Sequence, residues 1–173
     1  MEGMAASGTP APVLPARRAR ANALAMAQIM TGGCQCRRIR YRVRIDDDQA
    51  YLCHCHYCRR ATGGVSIAFK NVKQSDVAWE EAEPDWYQSS PIAHRPFCST
   101  CGTPLGFAFL DGENMDLTVG SFDDPGYFRP VSNFSIETML DAWSDTSHLP
   151  GKRLEDHAPV ADRWMKSLGK LPD

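Results

Sequence analysis

Residues 38–45 read Arg38-Ile39-Arg40-Tyr41-Arg42-Val43-Arg44-Ile45, a strict alternation of basic and apolar side chains. Successive side chains of an extended chain point to opposite faces, so Ile39, Tyr41, Val43 and Ile45 share one side and the four arginines share the other. This is the pattern of an antiparallel strand with one face on a core and one in water. A row of arginines could also serve a nucleic-acid surface. Asp46-Asp47-Asp48 follow directly, however, and supply counter-charges, so the arginines read as a solvated face.

Outward from this strand the same signature recurs at 65–69, 77–79, 85–88, 105–110, 115–119 and 133–138, each bounded by Gly, Pro, Asn or Asp. The expected fold class is therefore mainly β, with several small antiparallel sheets. Two short helices are expected, one from Cys55 to the Gly63-Gly64 stop and one over 160–168, where Val160, Trp164 and Leu168 share a face. The 173 residues carry a net charge of −2 and 43% hydrophobic residues, as one domain with tails would. No run approaches the ~18 apolar residues of a membrane helix, and so small a charge exerts no general pull on nucleic acid. Neither a membrane nor a nucleic-acid partner is expected.

Residues 1–30 differ in composition, with nine Ala, three Pro and three Arg against a single acid, Glu2. Arg17-Arg18-Ala19-Arg20 precedes a mildly apolar stretch, loosely like an export signal, but Asn22 and Gln28 interrupt it. A disordered extension is the expectation for 1–30. The folded domain then spans 31–145, and 146–173 forms a C-terminal tail containing the second helix.

All seven cysteines fall in three clusters: Cys34 and Cys36; Cys53, Cys55 and Cys58; Cys98 and Cys101. An odd number prevents complete disulfide pairing, and partners two or three positions apart bridge each other poorly. Clustered thiols point instead to metal in a reducing, cytoplasmic setting. Cys34 and Cys36, one residue apart on an extended chain, would present both sulfurs on one side. Cys98-Ser99-Thr100-Cys101-Gly102 is a C-x-x-C turn. Two plus two gives the four-cysteine shell of a closed, structural zinc site.

Cys53-His54-Cys55-His56-Tyr57-Cys58 offers three thiolates and leaves one position of a tetrahedral ion free, as catalytic zinc sites do. The competing reading closes this site with His54, His56, His94 or His148. His54 and His56 adjoin ligands, and their rings would project away from the sulfurs. Three thiolates around Zn²⁺ leave a site near −1, electron-rich and better suited to a soft incoming thiol than to activating water. Arg59 and Arg60 follow directly and could meet the carboxylates of a thiol substrate through bidentate hydrogen bonds. Trp79, Trp86, Phe107 and Phe109 read as core.

Gly32-Gly33-Cys34-Gln35-Cys36, the run Cys53 to Gly63, Phe97-Cys98-Ser99-Thr100-Cys101-Gly102-Thr103-Pro104-Leu105 and Leu117-Thr118-Val119-Gly120-Ser121-Phe122-Asp123-Asp124-Pro125 closely resemble the glutathione-dependent formaldehyde-activating enzyme family, which includes centromere protein V. The resemblance covers about 31–145. It implies a β-tent-like fold with two zinc ions, the structural one on Cys34, Cys36, Cys98 and Cys101 and the catalytic one on Cys53, Cys55 and Cys58. It implies addition of glutathione to formaldehyde, giving S-(hydroxymethyl)glutathione, the reverse of a carbon–sulfur lyase step, with a small thiol or thiol adduct as partner. A second reading makes the chain a zinc-stabilised protein-interaction module without activity. The chain departs from the family at Ser132-Asn133-Phe134-Ser135-Ile136-Glu137, where a histidine-led strand is expected.

Overall fold

The computed structural model describes residues 27–145, 149, 155–156 and 158–171. The alternating segment forms β2 (Arg40–Ile45), the middle strand of a three-stranded antiparallel sheet between β1 (Gln28–Gly33) and β5 (Val77–Glu80). Tyr41, Val43 and Ile45 are almost fully buried, and Ile39, just before the strand, is completely so. Each arginine of the opposite face meets a carboxylate: Arg38 with Asp85, Arg40 with Asp123, Arg42 with Glu80 and Arg44 with Asp46. Alternation thus sorts core from solvated face as the sequence implies.

A second sheet has seven strands in the order β10-β3-β4-β9-β8-β7-β6. These are β3 (Gln49–Cys53), β4 (Ile67–Lys73), β6 (Asp85–Ser90), β7 (Ala93–Phe97), β8 (Gly106–Phe109), β9 (Asn114–Thr118) and β10 (Arg129–Phe134). All its pairings are antiparallel except that of β10 with β3, which is parallel and carries an irregularity between Pro130 and Ser132. The chain is mainly β, with two sheets and few short helices, in agreement with the sequence reading. Strands β1, β3 and β7 had no counterpart among the expected segments, and β10 lies upstream of the expected 133–138. Because β1 begins at Gln28 and buries Met30 opposite Val43, the sheet takes in the last residues of the segment 1–30.

The core lies between the sheets. Tyr41 sits at its centre, with edge-to-face contacts to Trp79 at 5.6 Å and Phe122 at 5.5 Å, and its hydroxyl shares a 2.8 Å hydrogen bond with Ser121 Oγ. Leu105 and Leu117 close the other side and are fully buried. A smaller apolar cluster around Cys53, Cys58 and Phe69 is separate from this core.

Helix α1 (His56–Thr62) follows the strand that ends at Cys53. Gly63 ends it in the left-handed conformation at φ 71°, where a side chain is disfavoured, and its N–H donates to the Arg59 carbonyl. Helix α2 (Ala158–Leu168) occupies the expected C-terminal helical segment. Residues 1–26, with the arginine-rich and apolar stretches, lie outside the described residues. No helix among the described residues is long and apolar enough to cross a membrane.

Candidate metal centres and the adjoining cavity

The sulfurs of Cys34, Cys36, Cys98 and Cys101 all lie within 4.8 Å of one another. Cys34 and Cys36 do not sit on a strand, as their spacing suggested, but in the turn after β1. Arg37 takes a left-handed conformation at φ 65°, its N–H donates to the Cys34 carbonyl, and the chain doubles back so that the two sulfurs stand 3.5 Å apart. The facing turn is built alike. Gly102, at φ 76°, donates its N–H to the Cys98 carbonyl at 2.7 Å.

Accessory bonds hold these sulfurs in place. The Ile39 N–H donates to Cys34 Sγ at 3.3 Å. Thr103 Oγ1 lies 3.2 Å from Cys101 Sγ and accepts from the Gln35 N–H at 3.1 Å, joining the two turns. The hydroxyl of Thr103 is the leading cause that holds the Cys101 thiol down at about 5. Four soft donors, drawn together by two tight turns, are a donor set suited to a thiophilic ion.

Cys53, Cys55 and Cys58 form the second group, again within 4.8 Å of one another. Cys53 ends β3, Cys55 caps α1 by accepting from the Cys58 N–H at 3.3 Å, and Cys58 lies in the first turn. Among the described residues no histidine, aspartate, glutamate or further cysteine joins them. His54 is buried elsewhere, its Nε2 3.0 Å from Asn133 Oδ1. His56 is exposed and accepts from Arg59 Nη2 at 2.9 Å. His94 stacks on Trp86 at 4.3 Å. His148 lies outside the described residues. The two clusters could each hold a metal ion.

Arg95, which the sequence reading passed over, is the cation at this second group. It is 4% exposed, donates from Nη2 to Cys58 Sγ at 3.3 Å and lies 4.9 Å above the Phe107 ring. The Cys58 thiol is held down at about 5, first by the hydrogen bond from Cys53 and then by the guanidinium. Cys53 is pushed up correspondingly, because it keeps the proton shared with Cys58 and is buried.

A cavity of about 540 Å³ opens on Cys53, Cys55 and Cys58. Tyr51, Phe69 and Phe107 line its inner wall, and Phe109, Ile92 and Phe134 stand at its mouth. The placement of Phe107 and Phe109 corrects their reading as core. They alternate with Gly106 and Ala108, and it is the latter pair that is buried on the other face of β8. Asp116 also lines the cavity, hydrogen-bonded by Asn71 at 2.8 Å and by Tyr51, and burial pushes its carboxyl above the usual carboxylate range. Arg59 is half-buried against His56 and Arg60 is exposed; neither lines the cavity. The signal that could have found Arg95 is an arginine at an inward position of a strand. It was invisible because β7, with Pro96 inside it, does not read as a strand.

Comparison with family models matches residues 29–138 to the glutathione-dependent formaldehyde-activating enzyme family. A Schizosaccharomyces pombe protein described as an uncharacterized lyase is 35% identical over 141 residues, 80% of this chain and 96% of the relative. A Rhodobacter sphaeroides protein of known crystal structure superposes with a TM-score of 0.50 at 24% identity, over 61% of this chain and all of that one, and so supports the fold alone.

Proposed function

The chain belongs to the glutathione-dependent formaldehyde-activating enzyme family, and from that membership we propose that it is a zinc-dependent carbon–sulfur lyase acting on the adduct of a small thiol and an aldehyde. S-(hydroxymethyl)glutathione, formed from glutathione and formaldehyde, is the adduct the family description suggests. The lyase description of the yeast relative supports the reaction class. The observation that carries the proposal is the difference in ligand number: four cysteines in one group, three in the other, with the cavity beside the three.

In this proposal Cys34, Cys36, Cys98 and Cys101 would hold a structural zinc, tying the turn after β1 to the turn after β7. Cys53, Cys55 and Cys58 would hold the working zinc, which when bound would keep a thiol substrate deprotonated. The domain is that of the sequence reading, extended at its front to Gln28. Its setting is the reducing cytoplasm, where seven thiols stay available to metal.

The surrounding residues act on charge and protons. Arg95 offsets the negative charge of the thiolates, which a buried site could not otherwise accommodate. Asp116 is placed to hold the proton of the adduct hydroxyl. In the cleavage direction the carbon–sulfur bond breaks, its electron pair stays on sulfur, and the hydroxyl proton passes to Asp116 as the carbonyl forms. That proton then neutralises the departing thiolate, so aldehyde and thiol are released in balance. Addition runs through the same groups in reverse. Holding both partners together contributes several kcal/mol to lowering the barrier.

Exchange NMR of adduct formation from glutathione and formaldehyde tests the proposal. Zinc-loaded protein is expected to accelerate exchange over the uncatalysed reaction, and Cys58→Ala to abolish the acceleration. Equal rates with and without protein, for every thiol–aldehyde pair tried, would overturn it.

A further inference from the structure

We infer that the thiol half of the substrate is an uncharged, apolar thiol, taken in preference to glutathione. The inference rests on the thiol-adduct reading above and concerns the same cavity.

The wall of this cavity is mainly hydrocarbon, with Arg95, Asp116, Ser89 and Ser90 as its polar members apart from the cysteines and tyrosines. Tyr51, Phe69 and Phe107 form the inner side, and three large apolar residues stand at the mouth with much of their surface in water: Ile92 at 63%, Phe134 at 61% and Tyr57 at 62% exposed. A concentrated apolar rim around a concave site marks the place where a ligand completes the surface. At about 540 Å³ the space lies within the range of small-molecule sites.

Few charges face this space, and those present are partly engaged. Arg95 donates to Cys58 and lies over Phe107; Asp116 is bonded by Asn71 and Tyr51 and feels the Arg95 charge. Glutathione would bring two carboxylates and an ammonium into this space. They would lose water here against few partners: the Arg95 Nε carries no hydrogen bond but is buried in the wall, and Asp116 is the one acid of the lining, so little of the lost hydration would be replaced. Arg59 and Arg60, the residues expected to meet those carboxylates, do not line the cavity. A hydrocarbon thiol meets none of these penalties. With its sulfur toward the three cysteines, its apolar group lies against the rings, and the hydroxyl of its aldehyde adduct remains the polar group for Asp116.

The test loads the full chain with Co²⁺ in place of zinc and follows the sulfur-to-cobalt charge-transfer band during titration with 2-phenylethanethiol and with glutathione. Half-saturation by 2-phenylethanethiol is expected at about tenfold lower concentration, the scale set by burying a hydrocarbon group of this size. Glutathione binding equally well or better would overturn the inference while leaving the lyase reading intact. Ile92→Asp, at an exposed turn position, is expected to weaken 2-phenylethanethiol about fivefold relative to glutathione, through loss of apolar contact. An equal change for both thiols would count against the inference. So would conversion of a dimer to a monomer by this substitution without any change in thiol affinity, because the rim would then belong to a second copy.

A sulfur-free probe separates the two readings. In zinc-loaded protein, 2-phenylethanol is expected to shift the methyl NMR signals of Ile92 and Ala93. If no thiol perturbs the cobalt band, the lyase reading fails. The 2-phenylethanol shifts then report on the cavity alone, and their absence would overturn its assignment to an apolar ligand.

Discussion

The two cysteine groups use the same donor atom and opposite surroundings. Cys34, Cys36, Cys98 and Cys101 lie on two tight turns, each bent by a left-handed residue and stitched by backbone hydrogen bonds, and four sulfurs meet there. Cys53, Cys55 and Cys58 lie where a strand runs into a helix, with Arg95 against one sulfur and an aromatic cavity beside them. Both groups adjoin a cavity, but the first brings four sulfurs together beside a polar one, whereas the second brings three together beside an aromatic one. What separates a staple from a reaction site in this reading is the number of ligands and the chemistry of the lining beside them, while the ligand type is shared.

The largest effect expected from this contrast is at the staple. Cys98→Ala should abolish cooperative thermal melting and release zinc, since metal binding at structural four-ligand sites is worth roughly 10 kcal/mol or more. Cys58→Ala should instead lose one zinc of two by elemental analysis, keep the circular dichroism of the native sheets and lose activity. If both variants unfold alike, the distinction between the groups breaks.

Asp116→Asn keeps the shape but removes the proton-holding group, and the turnover rate is expected to fall about 10²–10⁴-fold, the range for loss of a general acid or base. Its stability signature has a definite sign. The folded-state carboxyl is raised above its ordinary 3.8, so its contribution is fully present below that pH and is lost as pH rises through the raised value. Denaturation midpoints of Asp116→Asn against pH should therefore fall less than those of the parent across this window. Identical pH profiles would remove Asp116 from the charge balance of the cavity.

Arg95→Gln removes the cation beside Cys58. Zinc affinity of the three-cysteine group is expected to fall about 10–100-fold in a chelator competition, as for other groups that support metal ligands from outside, with the four-cysteine group unaffected. The smallest effect belongs to Thr103→Val, which deletes the hydroxyl shared by Cys101 and Gln35. A loss of about 1 kcal/mol in chemical denaturation is expected, with both zincs retained, because a fully coordinated ion does not depend on one accessory bond.

The legible parts of the molecule are those whose physics is local. Strand β2 reads directly because its alternation is uninterrupted, and α1 reads because the left-handed Gly63 closes a short helical run. The division of the cysteines into two pairs and a triplet follows from spacing, and the expected union of the two pairs is met by the fold, although the placement of Cys34 and Cys36 on a strand does not survive, since the Arg37 turn brings their sulfurs together. Strand β7 was not legible: Ala93-His94-Arg95-Pro96-Phe97 mixes a buried cation and a proline, and only its neighbours β6 and β8 make it extended. Strand β10 depends on a parallel partner far away in the chain, which no local pattern announces.

Spacing alone determined that the sulfurs come as a pair, a triplet and a pair, because ligands within a few residues of one another are brought together by the local chain, whereas the meeting of Cys34 and Cys36 with Cys98 and Cys101 was decided by the tertiary structure. The assembly of Arg95, Asp116, Phe107 and Phe134 around the three-cysteine group was decided by tertiary structure only. These side chains come from four different strands, and whether an arginine, a carboxylate or a ring faces core, water or cavity is set by how the strands pair and which sheet face is covered.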